Sequence, residues 1–214
     1  MSKSIKDILP DITLNTIKTY GVGFALLLSA LFSSCEVDDP QREDAPELIT
    51  QAVLTFTPSD GGAGVVVTAT DPDGDGVQDI AVDDAINLVV NKTYILTISL
   101  INGLANPADP SYDITAEVDE ESDEHLFFYG WTNTVFADPA GDGNGDNRQD
   151  DVNYNDEDVN GLPLGLSTTW TAAGIVSAGT FRVILKHQPG LKSQTSSSSD
   201  GETDLDLTFE INTQ

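Results

Sequence analysis

The amino-acid sequence predicts an all-β protein, an antiparallel β-sandwich of the immunoglobulin-like or jelly-roll-like kind with about eight strands. Three observations support this class. The apolar residues form short, β-branched runs in which apolar and polar positions alternate. Clusters of Gly, Asp, Asn and Pro separate these runs, and no long run has the spacing of an amphipathic helix.

The runs predict strands at residues 48–56, 65–70, 86–90, 93–101, 126–131, 168–172, 180–187 and 205–211. Asn91 and Lys92 stand between the third and fourth runs and predict a tight hairpin, because Asn tolerates the left-handed conformation that such turns need. The Glu-rich segment 114–124 is compatible with a helical turn.

The first 34 residues have the parts of an export signal. Three lysines precede an apolar stretch, residues 21–34, which is too short for a membrane-spanning helix of about 20 apolar residues. The stretch ends in Leu-Phe-Ser-Ser before Cys35, the single cysteine, and this ending resembles the lipobox of bacterial lipoproteins. We therefore predict that Cys35 is acylated and attaches the protein to membrane lipid. The alternative is an ordinary secretory signal followed by an incidental cysteine.

Residues 35–46 are predicted to be an acidic tether, and residues 47–214 a single β-domain. The run Glu-Val-Asp-Asp-Pro at residues 36–40 resembles the acidic sorting signals of Bacteroidetes lipoproteins, which direct export to the cell surface. The same run is also typical of the start of a solvated linker. The expected location is the outer membrane, at its periplasmic face or at the cell surface.

The mature chain is strongly acidic. Six basic and 34 acidic residues remain after residue 34, which gives a net charge of −28. Such a charge repels nucleic acids and anionic lipid headgroups and attracts cations, so a nucleic-acid partner is excluded. Because 39% of the whole chain is hydrophobic and the apolar residues are grouped, a packed domain is predicted rather than a disordered one.

Three loops carry oxygen-bearing side chains at alternate positions, the spacing of calcium-binding loops of the EF-hand type. The predicted calcium ligands are Asp71, Asp73, Asp75 and Asp79 in the first loop, Asp142, Asn144, Asp146 and Asp150 in the second, and Asp156, Asp158 and Asn160 in the third. Val82 stands where an EF-hand has its bidentate Glu, so the first loop is not a true EF-hand. The alternative is that Asp, Asn and Gly form ordinary surface turns.

The two histidines lie at predicted strand ends. Strand alternation places His125 on the face of the aromatic residues 127, 129 and 131, and His187 on the face of residues 181, 183 and 185. If their strands are adjacent, His125 and His187 can meet as ligands of copper or zinc, with Asp123 or Glu124 as a further ligand. The alternative is that each histidine caps the core by hydrogen bonding.

No motif predicts catalysis, and the chain is expected not to be an enzyme. The sequence lacks a G-x-S-x-G elbow, an H-E-x-x-H helix and a phosphate-binding glycine loop. A hydrolase that uses paired carboxylates remains an alternative, because the separation of two acids is a spatial fact. The rings of Tyr129, Trp131, Tyr154 and Trp170 are interpreted as core residues or as sugar-stacking surfaces.

Several stretches resemble a group of small flavobacterial lipoproteins that carry the label type 1 periplasmic binding fold. They are residues 46–50, 71–76, 123–128, 160–166, 185–189 and 201–204. The resemblance covers most of residues 46–212 and implies a Bacteroidetes origin and a surface or periplasmic lipoprotein, but it implies no activity. The label names a two-domain α/β fold, whereas the strand pattern predicts an all-β domain.

Together these features predict a membrane-anchored envelope lipoprotein whose β-sandwich is stabilised by calcium and acts as a binding or accessory module. An accessory role in carbohydrate binding or uptake is the alternative. Its expected partners are membrane lipid, divalent cations, and a glycan or an envelope protein.

Overall fold

A computed structural model describes residues 47–74 and 80–214 of the chain. The predicted signal peptide, Cys35 and the tether lie outside the described residues, as do the predicted calcium ligands Asp75 and Asp79. The described residues are mostly β and form two sheets, which confirms the predicted fold class.

Ten strands follow one another within the described ranges, two more than the sequence predicts. They are β1 (Gln51–Pro58), β2 (Val65–Thr70), β3 (Ala81–Val82), β4 (Ile86–Leu88), β5 (Thr93–Ile101), β6 (His125–Trp131), β7 (Phe136–Asp138), β8 (Ser167–Ala172), β9 (Val176–His187) and β10 (Glu202–Thr213). One sheet has the order β3-β2-β1-β5-β8-β7, and the other has the order β4-β10-β9-β6.

The core lies between the two sheets. Successive side chains of a strand point to opposite faces, so alternate residues of each strand face the partner sheet. In β5 the side chains of Tyr94, Leu96, Ile98 and Leu100 are buried, and the residues between them are exposed. The inward residues of both sheets belong to one hydrophobic cluster, which makes the architecture a sandwich.

Aromatic rings fill the centre of this core. The ring of Trp170 lies 5.2 Å from that of Phe181 and 5.0 Å from that of Trp131, both in edge-to-face geometry. Trp170, Tyr129 and Trp131 are all buried, and the partly buried Tyr154 donates its hydroxyl to a backbone oxygen of β6 at 2.7 Å. These rings are therefore core residues, and they offer no exposed face for stacking on a sugar.

Strand β6 is covered on both faces. Nearly all of its residues are buried, whereas a strand with one solvated face would alternate. Leu126 and Phe128 form a second, smaller cluster with Ile184 of β9 on the face away from the main core. Tyr154 packs on this cluster and the guanidinium of Arg148 lies over the Phe128 ring, so the segment between β7 and β8 is the cover.

Two expectations about strand pairing are wrong. The predicted hairpin at Asn91 does not form, because β4 pairs with β10 while the next strand, β5, pairs with β1 and β8 in the other sheet. Asn91 does adopt the expected left-handed conformation, with φ of 60°, but it turns the chain from one sheet to the other. The pairing of β4 with β10 is also parallel, in a fold that was expected to be antiparallel throughout.

One short helix leads into β6. Helix α1 (Ile114–Glu120) begins after Asp113, whose carboxylate accepts a hydrogen bond from the Ala116 amide, as an N-cap does. The helix buries Ile114 and Val118, and it ends at Glu121, four residues before β6 begins. The predicted helical turn in this segment is therefore confirmed, and its end fixes the position of Glu121.

Truncating the central ring should destabilise the sandwich strongly. We expect Phe181→Ala to lower the free energy of unfolding by about 3–5 kcal/mol, because a fully buried ring leaves a cavity when it is removed. Val66→Ala, at a position that is 55% exposed in β2, should cost less than about 1 kcal/mol. Urea denaturation measures both, and equal losses would contradict the assignment of the core centre.

Candidate metal centre

The two histidines of the chain meet at one end of the four-stranded sheet. His125 is the first residue of β6 and His187 is the last residue of β9, and the antiparallel register pairs them directly. Directly opposed residues have neighbouring Cβ atoms on the same face of a sheet. The two imidazole rings are nearly parallel, with centroids 4.7 Å apart, and both residues are buried. The predicted meeting of the histidines is thus confirmed.

Two glutamates complete a possible ligand set. One potential ligand atom from each of Glu47, Glu121, His125 and His187 lies within 4.8 Å of all the others. Glu47 lies just before β1 with a 5% exposed side chain, whereas Glu121 is exposed at the end of α1. Neither of the two acids that the sequence suggested belongs to this set, although Glu124 Oε2 lies 3.2 Å from His187 Nε2.

The contacts of His125 fix the state of its ring. Its Nδ1 lies 3.1 Å from the backbone oxygen of Glu121, and a carbonyl oxygen can only accept, so Nδ1 carries a hydrogen. In the neutral ring the lone pair is then on Nε2, which lies 3.1 Å from Glu47 Oε1. A lone pair facing a carboxylate is repulsive unless a proton or a metal cation lies between them. Donation of Nδ1–H to a carbonyl is also the arrangement that orients metal-binding histidines in proteins.

A second acid, Asp204, lies against the same ligands. Its Oδ2 is 3.9 Å from His125 Nε2, its side chain is fully buried, and among the described residues only the carboxyl group of Glu47 shares a hydrogen bond with it. Asp204 stands at a β-bulge, where the register between β9 and β10 shifts between Thr203 and Leu205. The extra residue of a bulge turns its side chain away from the normal alternation. The bulge therefore explains how a carboxylate on β10 is directed inward.

Buried carboxyl groups make this end of the sheet electrostatically strained. Burial, and then the negative charge of Glu47, raise the pKa of Asp204 to about 9. Burial also acts to raise the pKa of Glu47, but the hydrogen bond and charge of His125 outweigh it and lower that pKa. Glu47 Oε2 has no hydrogen-bond donor either, so the two carboxyl groups are compatible only when they share a proton or bind a cation.

The ligand types select the kind of metal. Imidazole nitrogens together with carboxylates suit zinc or copper, whereas calcium takes oxygen ligands. Zinc with ligands at about 2.0–2.1 Å has neighbouring ligands about 3.3 Å apart, so the present set must contract by roughly 1 Å to bind it. The exposed side chain of Glu121 can make part of this movement, because it lies at a helix end and not inside a sheet.

The third predicted calcium loop is held by hydrogen bonds and by an ion pair. The carboxylate of Asp156 accepts from the amides of Gly165 and Ser167 at 2.7 and 2.8 Å. Asp158 accepts from two amides through Oδ1, and its Oδ2 lies 3.0 Å from Lys192 Nζ in a pair with both side chains buried. The predicted ligand Asn160 is exposed. The lysine occupies the place beside Asp158 that a calcium ion would take, so the contacts give no support for calcium here.

The second predicted loop closes the free edge of β6. Asn144 is buried. Its side-chain oxygen accepts a hydrogen bond from the backbone amide of Tyr129 at 2.9 Å, and its backbone amide donates to the backbone carbonyl oxygen of Tyr129. Asp150 Oδ2 accepts from the amides of Asp142 and Gly143. Asp146 pairs with Arg182 at 3.2 Å. These side chains therefore cap backbone groups or pair with arginine, which favours the alternative that this loop is a structural turn.

The first loop is only partly described. Asp71 is buried at the end of β2, and its Oδ1 accepts from the amides of Asp73 and Gly74 at 3.2 and 3.0 Å. Its Oδ2 is buried without a hydrogen-bond partner among the described residues. The buried Asp158 Oδ2 of the third loop also lacks a hydrogen bond, but it lies 3.0 Å from the Lys192 ammonium, and Asp71 has no such basic neighbour among the described ion pairs.

Comparisons with protein-family models, with curated proteins and with solved structures find no match to this chain. Within residues 47–74 and 80–214, no helix has the length and apolar character needed to cross a membrane. The interpretation of the centre therefore rests on its own geometry.

Sequence reasoning missed Glu47, Glu121 and Asp204. For Glu121 the sequence held a weak indication. A residue four positions before a histidine that begins a strand can approach that histidine when the chain between them forms a helical turn. Glu47 and Asp204 had none, since their approach depends on sheet order and on a bulge that one sequence does not reveal.

Replacing Asp204 should stabilise the metal-free protein at alkaline pH. The fold holds a proton on Asp204 up to about pH 9, whereas the unfolded chain loses it near pH 4, so stability falls as pH rises between these values. Asp204→Asn removes this loss, and we expect its free energy of unfolding at about pH 8 to exceed that of the parent by at least about 1 kcal/mol. Near pH 4 the gain should vanish.

Urea denaturation of chelator-treated protein at the two pH values measures the effect. The control is Asp206→Asn, two residues along the same strand. Asp206 pairs with Arg182 at 2.7 Å, so removing its charge should not raise the free energy of unfolding. A parent that is as stable as Asp204→Asn at alkaline pH would contradict the assignment.

Removing Asp158 should cost more than removing a surface partner. We expect Asp158→Asn to lower the free energy of unfolding by about 3–5 kcal/mol, because Lys192 then stays buried without its counter-charge. Asp146→Asn, which breaks a pair whose acid is 89% exposed, should cost less than about 1 kcal/mol. Thermal unfolding compares the two, and a small loss for Asp158→Asn would mean that the pair is not buried in solution.

Proposed function

We propose that this protein is an envelope lipoprotein whose β-sandwich binds one divalent transition-metal ion through Glu47, Glu121, His125 and His187. The observation that carries the proposal is the set of buried acceptors around His125. Nε2 lies 3.1 Å from the Glu47 carboxylate, and no described residue donates a hydrogen bond to Glu47 Oε2 or to Asp204 apart from the facing carboxyl group. A bound cation would satisfy Nε2 and both carboxyl groups together, whereas the metal-free fold needs a proton on Asp204 and a hydrogen between His125 and Glu47.

The placement of the ligands supports reversible binding. His125 and His187 lie in paired strands, Glu47 lies four residues before β1 with its side chain buried, and Glu121 comes from an exposed helix end. Three fixed ligands with one mobile ligand at the surface give an ion a path in and out. The function that fits this geometry best is metal capture or exchange, with the ion held at one end of the sandwich.

Location and charge agree with such a role. The predicted lipid on Cys35 would keep the domain at the envelope, where external metal ions arrive first. The net charge of −28 on the mature chain raises the local concentration of cations. The electrostatic field of this charge attracts all cations alike. The imidazoles must therefore provide the preference for zinc or copper over calcium and magnesium.

Two rival functions receive less support. Sugar binding needs exposed aromatic rings, and both tryptophans are buried. A hydrolase needs its carboxylate pair in a cleft, and neither Glu47 nor Asp204 lines the cavity beside Arg182 or the cavity beside Asp71.

The direct test is calorimetric titration of the purified full-length protein, in mild detergent, with Zn²⁺ and Cu²⁺. The buffer should hold about 0.15 M salt and millimolar Mg²⁺, which suppress diffuse binding to surface carboxylates. We expect one saturable site in the parent. In the double variant that carries both His125→Gln and His187→Gln, we expect the affinity to fall about 100-fold or more. Glu47→Gln should weaken binding, while Glu210→Gln, an exposed acid on β10, should not.

Nitrogen NMR gives a second readout. The chain has only two histidines, so their ring signals are unambiguous, and a bound ion must shift them together. Equal zinc affinity in the double histidine variant, or ring signals that zinc leaves unmoved, would refute the proposal.

A further inference from the structure

Asp71 and its neighbours form a second group of potential cation ligands. Unlike the histidine centre, this group offers only oxygen atoms. Asp71 follows β2 directly, and only 2% of its surface is exposed. Because Oδ1 accepts hydrogen bonds from the backbone amides of Asp73 and Gly74, the carboxylate points into the loop that follows the strand. Its second oxygen, Oδ2, is buried with no hydrogen-bond partner within residues 47–74 and 80–214.

A buried carboxylate oxygen without a partner is unfavourable in any protein. The other buried carboxylates of the described residues lie beside a basic side chain, since Asp158 pairs with Lys192, and Glu47 and Asp204 lie 3.1 and 3.9 Å from His125 Nε2. Among the described residues, no lysine, arginine or histidine forms an ion pair with Asp71. The charge of this carboxylate is therefore balanced by no basic side chain in the part of the chain that the structure describes.

The surroundings of Asp71 also lack basic groups. Asp71 lines a cavity of about 250 Å³, and the other lining residues, which include Thr50, Gln51, Thr70 and Tyr112 with their oxygen-bearing side chains, are all uncharged. A site that combines one anionic oxygen with neutral oxygens suits a hard cation such as Ca²⁺ and does not suit zinc or copper.

The sequence of the loop points to the same ion. Acids recur at alternate positions from Asp71 through Asp73, which is the spacing by which a tight loop directs several oxygens to one ion. Gly74 has φ of +69°, and a Cβ atom there would lie 2.9 Å from the Leu104 side chain. The turn after Asp73 thus requires glycine, and its packing on Leu104 holds the loop against the sheet edge.

We propose that Ca²⁺ binds beside residues 71–74 with Asp71 as the anchoring ligand, through the Oδ2 that lacks a hydrogen-bond partner among the described residues. The site is independent of the histidine centre and does not depend on the function proposed for it. Its effect is on stability, because an ion that binds only the folded form raises the free energy of unfolding by mass action.

The test is calorimetric titration of the full-length protein with Ca²⁺, together with thermal unfolding in Ca²⁺ and in a calcium chelator. Asp71→Asn is the informative variant, since its amide oxygen can still accept from the Asp73 and Gly74 amides while the charge is lost. We expect Asp71→Asn to bind Ca²⁺ at least about tenfold more weakly and to lose the calcium-dependent rise in melting temperature.

Two controls make the result specific. Asp150→Asn is matched, because Asp150 also accepts two backbone amides in an acidic loop, and it should leave Ca²⁺ affinity unchanged. The double histidine variant should also retain Ca²⁺ binding, which separates this site from the transition-metal centre. The proposal is overturned if the parent shows no saturable Ca²⁺ binding, if Asp71→Asn binds like the parent, or if either control abolishes binding.

Discussion

The antiparallel register between β6 and β9 is the constraint on which both the core and the candidate metal centre depend. It pairs His125 with His187 and, six residues further along, Trp131 with Phe181. A shift of one residue would turn every side chain of β6 to the other face of the sheet. The aromatic packing around Trp170 and Phe181 therefore fixes, from a distance, which atoms meet at the histidine end.

The fold deals with its buried acids in three different ways. Asp158 is neutralised by a buried lysine, Asp156 is held by backbone amides, and Asp204 is protonated at neutral pH because burial raises its pKa. Of these three solutions, only the third leaves a carboxyl group that a cation could join at the histidine end of the sheet. The β-bulge in β10 creates that exception, since without the bulge position 204 would follow the ordinary alternation.

Much of the fold could be predicted from the sequence, because alternation is strong wherever one strand face meets the core. The predicted runs match eight of the ten strands, and the two that were missed, β3 and β7, have two and three residues, too few to show a period. The parallel β4–β10 pair escaped prediction because strand order is a long-range property. The site was predicted in part: the histidines were found, but Asp, Asn and Gly carry the same pattern whether they cap amides or bind calcium.

The loop that holds Asn144 has a consequence beyond this sheet. Strand β6 ends the order β4-β10-β9-β6, so its outer backbone groups would be open to another strand. Instead, the amides of Phe127, Tyr129 and Trp131 are satisfied in turn by Leu164, Asn144 and Asp142. Neighbouring copies of the domain would thus find no free amides at these positions of β6, and intermolecular strand exchange, the usual route from a sandwich to an aggregate, would have no template at this edge.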